Sequence, residues 1–345
     1  MKKIKIKIRI QPYRWIIYGS TLAMLILIGI LGIVLETGAK SLPDQTIALR
    51  WSEEDDFAQV SAFFSERNLI TTENVRFFRH SIEEALKAEN IESRNTSARL
   101  YVDDFYSTGE ITIKNGKTVS NVKAFGVDGD FFLFHPVKLV SGSYFTGNDL
   151  MSDSVILDRE TAWQLFGSDD IVGMQVTIGG IPHRIAGVYE RPEDDISALA
   201  GIGEPTVFVS YNTLSLNSPD GAPVLMYEVC MPNPVKGFAL NIFNGEEGFL
   251  NGYNSICIEN SKRFSYNSYV GLLKTHSLRR MKTDSIVLPY WENLARVKED
   301  RLMYVALVQW IAAGITGLFW FGYIVFRITR INVKKIMKRE EESYL

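Results

Sequence analysis

The chain has 345 residues, 46% hydrophobic and 22% charged, with a net charge of −3. This is globular composition without the bias of a collagen or a disordered chain. The length is enough for two or three domains. The acids are concentrated in the middle, which argues against nucleic acid or an anionic bilayer surface as the partner of that region.

In chain order, "KIKIKIRI" (3–10) alternates cation and aliphatic. It reads equally well as a segment lying on anionic lipid and as a plain topology signal. Trp15 to Leu35 follows, uncharged and 21 residues long, and Leu302 to Phe326 is a second uncharged run of 25. About 20 apolar helical residues cross a hydrocarbon core, so each run predicts a membrane span. Lys2, Lys3, Lys5, Lys7, Arg9 and Arg14 precede the first span; Arg327, Arg330, Lys334, Lys335, Lys338 and Arg339 follow the second. Positive flanks stay in the cytoplasm, so both termini are expected inside and residues 36–301 outside, in a two-pass plasma-membrane protein. With +6 before the first span and +3 after the second, the whole-chain −3 leaves −12 for that outer segment. A cleaved signal peptide is the rival for the first run, with Thr37 and Ala39 as small residues before a cut. The run exceeds the usual apolar core of such a peptide, which favours an anchor.

Within the outer segment, "TIALRW" (46–51) reads as a strand. Ser52, the acids at 53–56 and the spacing of Phe57, Val60, Phe63 and Phe64 predict a capped helix. A helix is expected over 81–90 and a strand over 98–106, making a first α+β unit. A β-rich block follows at about 110–215. It contains a hairpin around Asn115-Gly116, strands "VKLVSG" and "SVILD", a short helix "RETAWQLFG" and a hairpin turning at Gly179-Gly180. "TVFVS" closes the block. In the helix, Trp163, Leu165 and Phe166 are expected to anchor one face onto the hairpin and Gly167 to end it. "EDDISALAGIGEP" (193–205) reads as a mobile loop. A second mixed block has strands at 224–232 and 254–260, a helix at 234–245 and a last strand or extended stretch at 286–291. "ENLARVKEDRLMYVALVQ" then runs without a breaker into the second span. An unbroken helix there can carry a tilt of the outer domain into the bilayer.

Catalytic signatures are missing. "KNGKT" (114–118) lacks the glycine of a phosphate loop, and no G-x-S-x-G elbow occurs. His80, His135, His183 and His276 have no metal-ligand spacing, although a site assembled only in space stays open. Asp103-Asp104 and Asp194-Asp195 read as solvated turns. "NTS" at Asn95 fits a glycosylation acceptor. Cys230 and Cys257 fall in strand-like runs, as two separate thiols or as a disulfide if their strands adjoin. Ala313 and Gly317 offer a weak small-residue signal for helix pairing. No catalytic residue, metal or cofactor is expected.

One ordered series of residues carries a resemblance. Gly126 and Phe131 are followed by Gly142, Phe145 and Asp149, then by Ala162 with Leu165, Phe166 and Gly167. Val172-Gly173 and Gly187-Val188 complete the series. It resembles the MacB-like periplasmic core domain of ABC transporter permeases of the MacB/FtsX type, which lies between the first and second membrane helices. The resemblance implies an α+β fold, two α+β units flanking a β-rich centre, with these residues as scaffold. It implies a non-enzymatic membrane subunit or accessory component of an ABC transport system. The implied partners are a cytoplasmic ABC-type ATPase or a full-length permease subunit, and homo- or hetero-oligomers through the membrane helices are compatible with it. Members usually continue to four membrane helices, whereas this chain ends 19 residues after the second span. Permease activity is therefore not carried over directly, and a binding or sensing membrane protein that works without an ATPase is the alternative.

Overall fold

A computed structural model describes residues 12–51, 56–92, 99–147, 149, 151–192, 194–219, 221–275, 282–283 and 286–343. The basic segment 3–10, the acids at 53–55, Asn95 and His276 lie outside the described residues. The chain forms two units: residues 1–39 with 300–345, and residues 40–299.

The first unit contains helix α1 (Pro12–Ala39) and most of α10 (Tyr290–Ser343). Both are long and apolar enough to cross a membrane. Within this unit, Gln309 Nε2 donates to the Ile28 carbonyl at 3.1 Å, and Tyr18 and Trp320 stack with ring centroids 6.5 Å apart. The close approaches are at Gly32, beside Gln309, and at Gly38, beside Leu302. A Cβ on Gly314 or Gly317 would meet nothing within 4 Å, so the Ala313/Gly317 pair makes no such contact.

In the second unit, β1 (Phe57–Phe64), β2 (Val102–Asn115), β3 (Thr118–Gly129), β4 (Lys138–Gly142), β5 (Ser154–Asp158), β6 (Gln175–Ile178), β7 (Ile181–Glu190), β8 (Thr206–Ser210), β9 (Met226–Pro232) and β10 (Ser255–Glu259) form one sheet. The order is β10-β1-β9-β2-β3-β8-β5-β7-β4, with β6 pairing β2 and β7. β3–β8 and β5–β7 are parallel; the other pairs are antiparallel. The α+β class holds, and the two mixed blocks and the β-rich block share this single sheet. β11 (Lys282–Thr283) and β12 (Ile286–Val287) make a separate pair.

Successive strand residues point to opposite faces, and the core divides accordingly. Phe105, Val155, Leu157, Val207 and Val209 belong to one apolar cluster; Tyr106, Ile156 and Phe208 belong to the other. Helix α3 (Thr72–Ala88) covers the first face with Val75, Phe78, Ile82 and Leu86, a helical stripe. It begins well before residue 81, where Thr71 N–H donates to Asn74 Oδ1 at 2.9 Å.

Four expectations are overturned here. "TIALRW" is mostly the short helix α2 (Ile47–Trp51), and Phe57–Phe64 is a strand rather than a helix. β1 is inserted between β9 and β10 and buried on both faces, so its apolar residues need not alternate. The supposed mobile loop contains α6 (Asp195–Ala200), capped by Asp194, whose side chain accepts from Ile196 and Ser197 N–H. Asp103 and Asp104 are not in a solvated turn: both are buried in β2, and Asp103 pairs with Arg79 on α3.

The remaining helices are α4 (Phe131–Phe134), α5 (Arg159–Phe166), α7 (Tyr211–Asn217), α8 (Phe238–Asn244) and α9 (Tyr266–Thr275). Asp158 caps α5 and Gly167, at φ 68°, ends it. Trp163 does not anchor α5; it is exposed, and Ala162 and Leu165 are the buried contacts. Cys230 and Cys257 are free thiols on β9 and β10, strands that β1 separates.

Candidate functional site

The second face of the sheet carries a polar seam. Gln59 and Ser61 on β1, Glu228 on β9 and Asp104 on β2 share that face, with Ser61 opposite Glu228 and Glu228 opposite Asp104. Glu228 Oε1 accepts from Gln59 Nε2 at 2.6 Å, Ser61 Oγ at 2.6 Å and Asn260 Nδ2 at 3.1 Å. His135, just after α4, lies over the seam. Its Nδ1 is 2.9 Å from Asp44 Oδ1, and its Nε2 is 2.9 Å from Glu228 Oε2. Asp104 Oδ2 is 3.9 Å from the same Nε2. Among the described residues neither Asp104 oxygen has a hydrogen-bond partner, and the residue is fully buried. Burial alone disfavours the His135 charge, but hydrogen bonds and charges of Asp44 and Glu228 outweigh it and push the imidazole up to about 10. Burial raises the Asp104 carboxyl well above the usual range, with His135 opposing and Glu228 adding to the rise.

Beside His135 is the root of α10. Trp291 has its ring centroid 4.3 Å from the imidazole and is surrounded by Tyr106, Phe125 and Phe131 at 4.9, 5.9 and 5.6 Å. One residue on, Glu292 takes a two-pronged bond from Arg263, Nη1 at 2.5 Å and Nη2 at 2.8 Å. Arg263 Nη2 also reaches Glu299 at 2.9 Å, and Nη1 reaches Gln45 at 3.1 Å. Arg296 Nε meets Glu292 Oε1 at 2.7 Å. Arg263, Glu292 and Glu299 are all buried. An arginine fork against a carboxylate fixes orientation as well as distance. The first three turns of α10 are thus bolted to the sheet domain by an aromatic nest and a buried ionic cluster.

A cleft of about 580 Å³ opens next to both groups, lined by Asp44, Pro136, Tyr189, Asp194 and Tyr290 among others. A neighbouring hollow of about 500 Å³ includes Asp158, Arg159, Trp163 and Arg191. Arg191 bonds Asp158 and Glu160, both at 2.7 Å. Burial raises the Asp158 carboxyl, against the charge of Arg191.

The residues of the ordered series fall in two places. Phe131 and Phe145 lie in the second-face core. Gly142 on β4 pairs Gly187 on β7, and a Cβ on Gly142 would stand 2.1 Å from the Ala186 carbonyl oxygen. Gly126 sits under Leu214, and Asp149 accepts from Thr146 N–H at 3.4 Å. Ala162 and Leu165 are in the first-face core with Phe166 packed against it; Gly167 and Gly173 have positive φ. Of these residues only Phe131 reaches the site, its ring centroid 5.6 Å from that of Trp291 and 4.9 Å from that of His135. Sequence reasoning missed Asp104, His135 and Glu228 and also Arg263, Glu292 and Glu299. No local spacing joins them, because three or more elements bring each group together. The one available signal was acids and a histidine in otherwise apolar runs, as in "MYEVCMP" and "FFLFHP".

An α+β sheet domain, carried by a chain with two membrane-length helices, defines the class. Residues 18–230 match the family model of the MacB-like periplasmic core domain, more than half of the chain, and the chain belongs to that family. Over 96 residues it is 31% identical to the macrolide export ATP-binding/permease protein MacB of Pasteurella multocida (strain Pm70), covering 27% of this chain and 14% of that protein. Over 130 residues it is 25% identical to the uncharacterized ABC transporter permease YvrN of Bacillus subtilis (strain 168), covering 37% of this chain and 31% of that one. The chain therefore spans less than a third of either relative. Among solved structures, it is similar to the periplasmic region of MacB from Actinobacillus actinomycetemcomitans. The identity is 15% and the TM-score 0.39, over 64% of this chain and 94% of that one. The extracellular domain of the ABC-type transporter YknZ gives 15% identity and a TM-score of 0.37, over 58% and 98%.

Proposed function

We propose that the chain is a non-enzymatic membrane subunit of a MacB-type ABC transport system. Its spans are residues 15–35 and 302–326, its termini are cytoplasmic, and its sheet domain lies outside the plasma membrane. The partner is a cytoplasmic ATPase or a larger permease subunit, since the relatives are ABC transporters by name. The single observation that carries the reading is α10, which continues from the Trp291 and Arg263–Glu292–Glu299 root into the apolar run without a break. A helix held at its root by a buried ionic cluster and packed rings behaves as a lever.

Two experiments test this. Full-length chain taken from its native membranes in mild detergent should bring down an ATPase of the ABC class. Recovery of neither an ATPase nor a larger permease, with function intact, would replace the transport role by the ATPase-free sensor. Orientation is read by an introduced cysteine: Lys117→Cys, at the exposed hairpin tip, should react with an impermeant maleimide in intact cells. Labelling only after lysis would overturn the topology.

A further inference from the structure

We propose that Asp104, His135 and Glu228 form a binding site for one first-row divalent transition-metal ion, of which zinc is the representative. One ligand atom from each of the three buried side chains lies within 4.8 Å of the others. A metal bonded at about 2.0–2.2 Å to imidazole nitrogen and carboxylate oxygen separates its ligands by about 3–3.5 Å. The 2.9 Å and 3.9 Å from His135 Nε2 to the two carboxylates bracket that separation. Small side-chain shifts suffice.

The surroundings are those of a metal shell. His135 Nδ1 faces Asp44, so its proton is held there and Nε2 is directed at the two ligating carboxylates; an outer carboxylate orients metal-bound histidines in this way. The second oxygen of Glu228 is fixed by Gln59, Ser61 and Asn260, which leaves Oε2 as the ligating atom. Asp104 supplies the independent observation. It is a fully buried carboxyl, 3.9 Å from Nε2, with no hydrogen-bond partner on either oxygen among the described residues. An unpartnered buried carboxylate is costly, and a cation between it and Glu228 removes that cost. Three carboxylates, Asp44 included, surround one imidazole, a charge balance suited to a divalent ion. The imidazole donor favours zinc, iron, nickel or copper over magnesium and calcium, which prefer oxygen alone. Asp44 also lines the adjacent cleft, so the outer partner of His135 borders solvent-accessible space.

The test uses the full chain in detergent, stripped with chelator and dialysed against zinc or, separately, cobalt(II). One metal per chain by elemental analysis, with ligand-field absorption for cobalt, is expected. Asp104→Asn, an isosteric change, should lose the bound metal and the absorption while circular dichroism is unchanged; all four histidines remain in this variant. Asp44→Asn should weaken binding about 10–100-fold, as loss of an outer-shell partner does. A stripped wild-type chain that takes up no zinc or cobalt overturns the proposal. So does Asp104→Asn that folds and keeps the same metal content. Should that variant fail to fold, the wild-type stoichiometry and cobalt spectrum decide alone.

Discussion

Replacing Arg263 by methionine removes a charge while keeping a long side chain in its slot. In the folded chain Arg263 is 3% exposed, and it bonds Glu292 and Glu299, 1% and 4% exposed. After the change Glu292 keeps Arg296 at 2.7 Å but loses its two-pronged partner. Breaking a buried pair by removing one member costs about 3–5 kcal/mol, because a charge is left in a poorly solvating interior. At about 2–4 °C per kcal/mol for a domain of this size, the midpoint should fall by about 6–20 °C. Thermal unfolding of the detergent-solubilised chain, followed by tryptophan fluorescence, measures this. Because the loss comes from stranded charge, Arg263→Met combined with Glu292→Gln and Glu299→Gln should regain at least half of it. A single variant that melts within about 2 °C of wild type, less than about 1 kcal/mol, would refute the claim of a buried ionic bolt. A triple variant no better than the single one would assign the loss to packing instead.

Trp291→Ala should cost about 3–5 kcal/mol, the range for emptying a large aromatic site, and is read in the same melt. Gly142→Ala must put a Cβ against backbone at φ 85°, whereas Gly173→Ala, also at φ 85°, meets nothing within 4 Å. The second should cost about 1–2 kcal/mol, the penalty of left-handed backbone for an L-residue, and the first clearly more; equal losses would contradict the close approach of β4 to β7. Burial pushes the Cys230 thiol up to about 12 and the Cys257 thiol up to about 11, with Glu228 adding to the first and a Ser255 hydrogen bond opposing the second. Since the thiolate is the reactive form, maleimide should modify neither quickly near neutral pH, and faster only as pH rises or the chain unfolds. Rapid modification of folded Cys230, checked by mass spectrometry, would contradict its burial.

Much of the β-rich block was legible because its punctuation is local. Asn115-Gly116 turns the β2–β3 hairpin, Gly179-Gly180 turns β6–β7, and Gly167 stops α5. The stretch 46–64 was not. Phe57, Val60, Phe63 and Phe64 satisfy helical spacing, yet a strand buried on both faces needs no alternation, and periodicity alone does not separate the two. Trp163 misled for another reason: its size suggested a core anchor, but it stands on the hollow-facing side of α5. The polar seam was invisible because its members lie on β1, β2, β9, the short 3-10 turns Pro43–Gln45 and Asn260–Lys262, and the residue after α4. Only the register, Ser61 to Glu228 to Asp104, makes them neighbours. The root of α10 shows the same limit, with Arg263 and Glu292 29 positions apart in sequence.

The placement of β1 dictates the order in which the domain can be built. Val60 pairs with Val229 on one side and Glu259 on the other, so the strand emerges long before either neighbour exists. Joining ends so distant carries a loop-closure penalty that must be met before any ladder bond forms. "FAQVSAFF" therefore waits as an unpaired, sticky ribbon while the hairpins of the β-rich block can already close. Zippering of the two ends of the domain around that ribbon is therefore expected late in assembly, and until it occurs the chain is most exposed to proteases and to clumping.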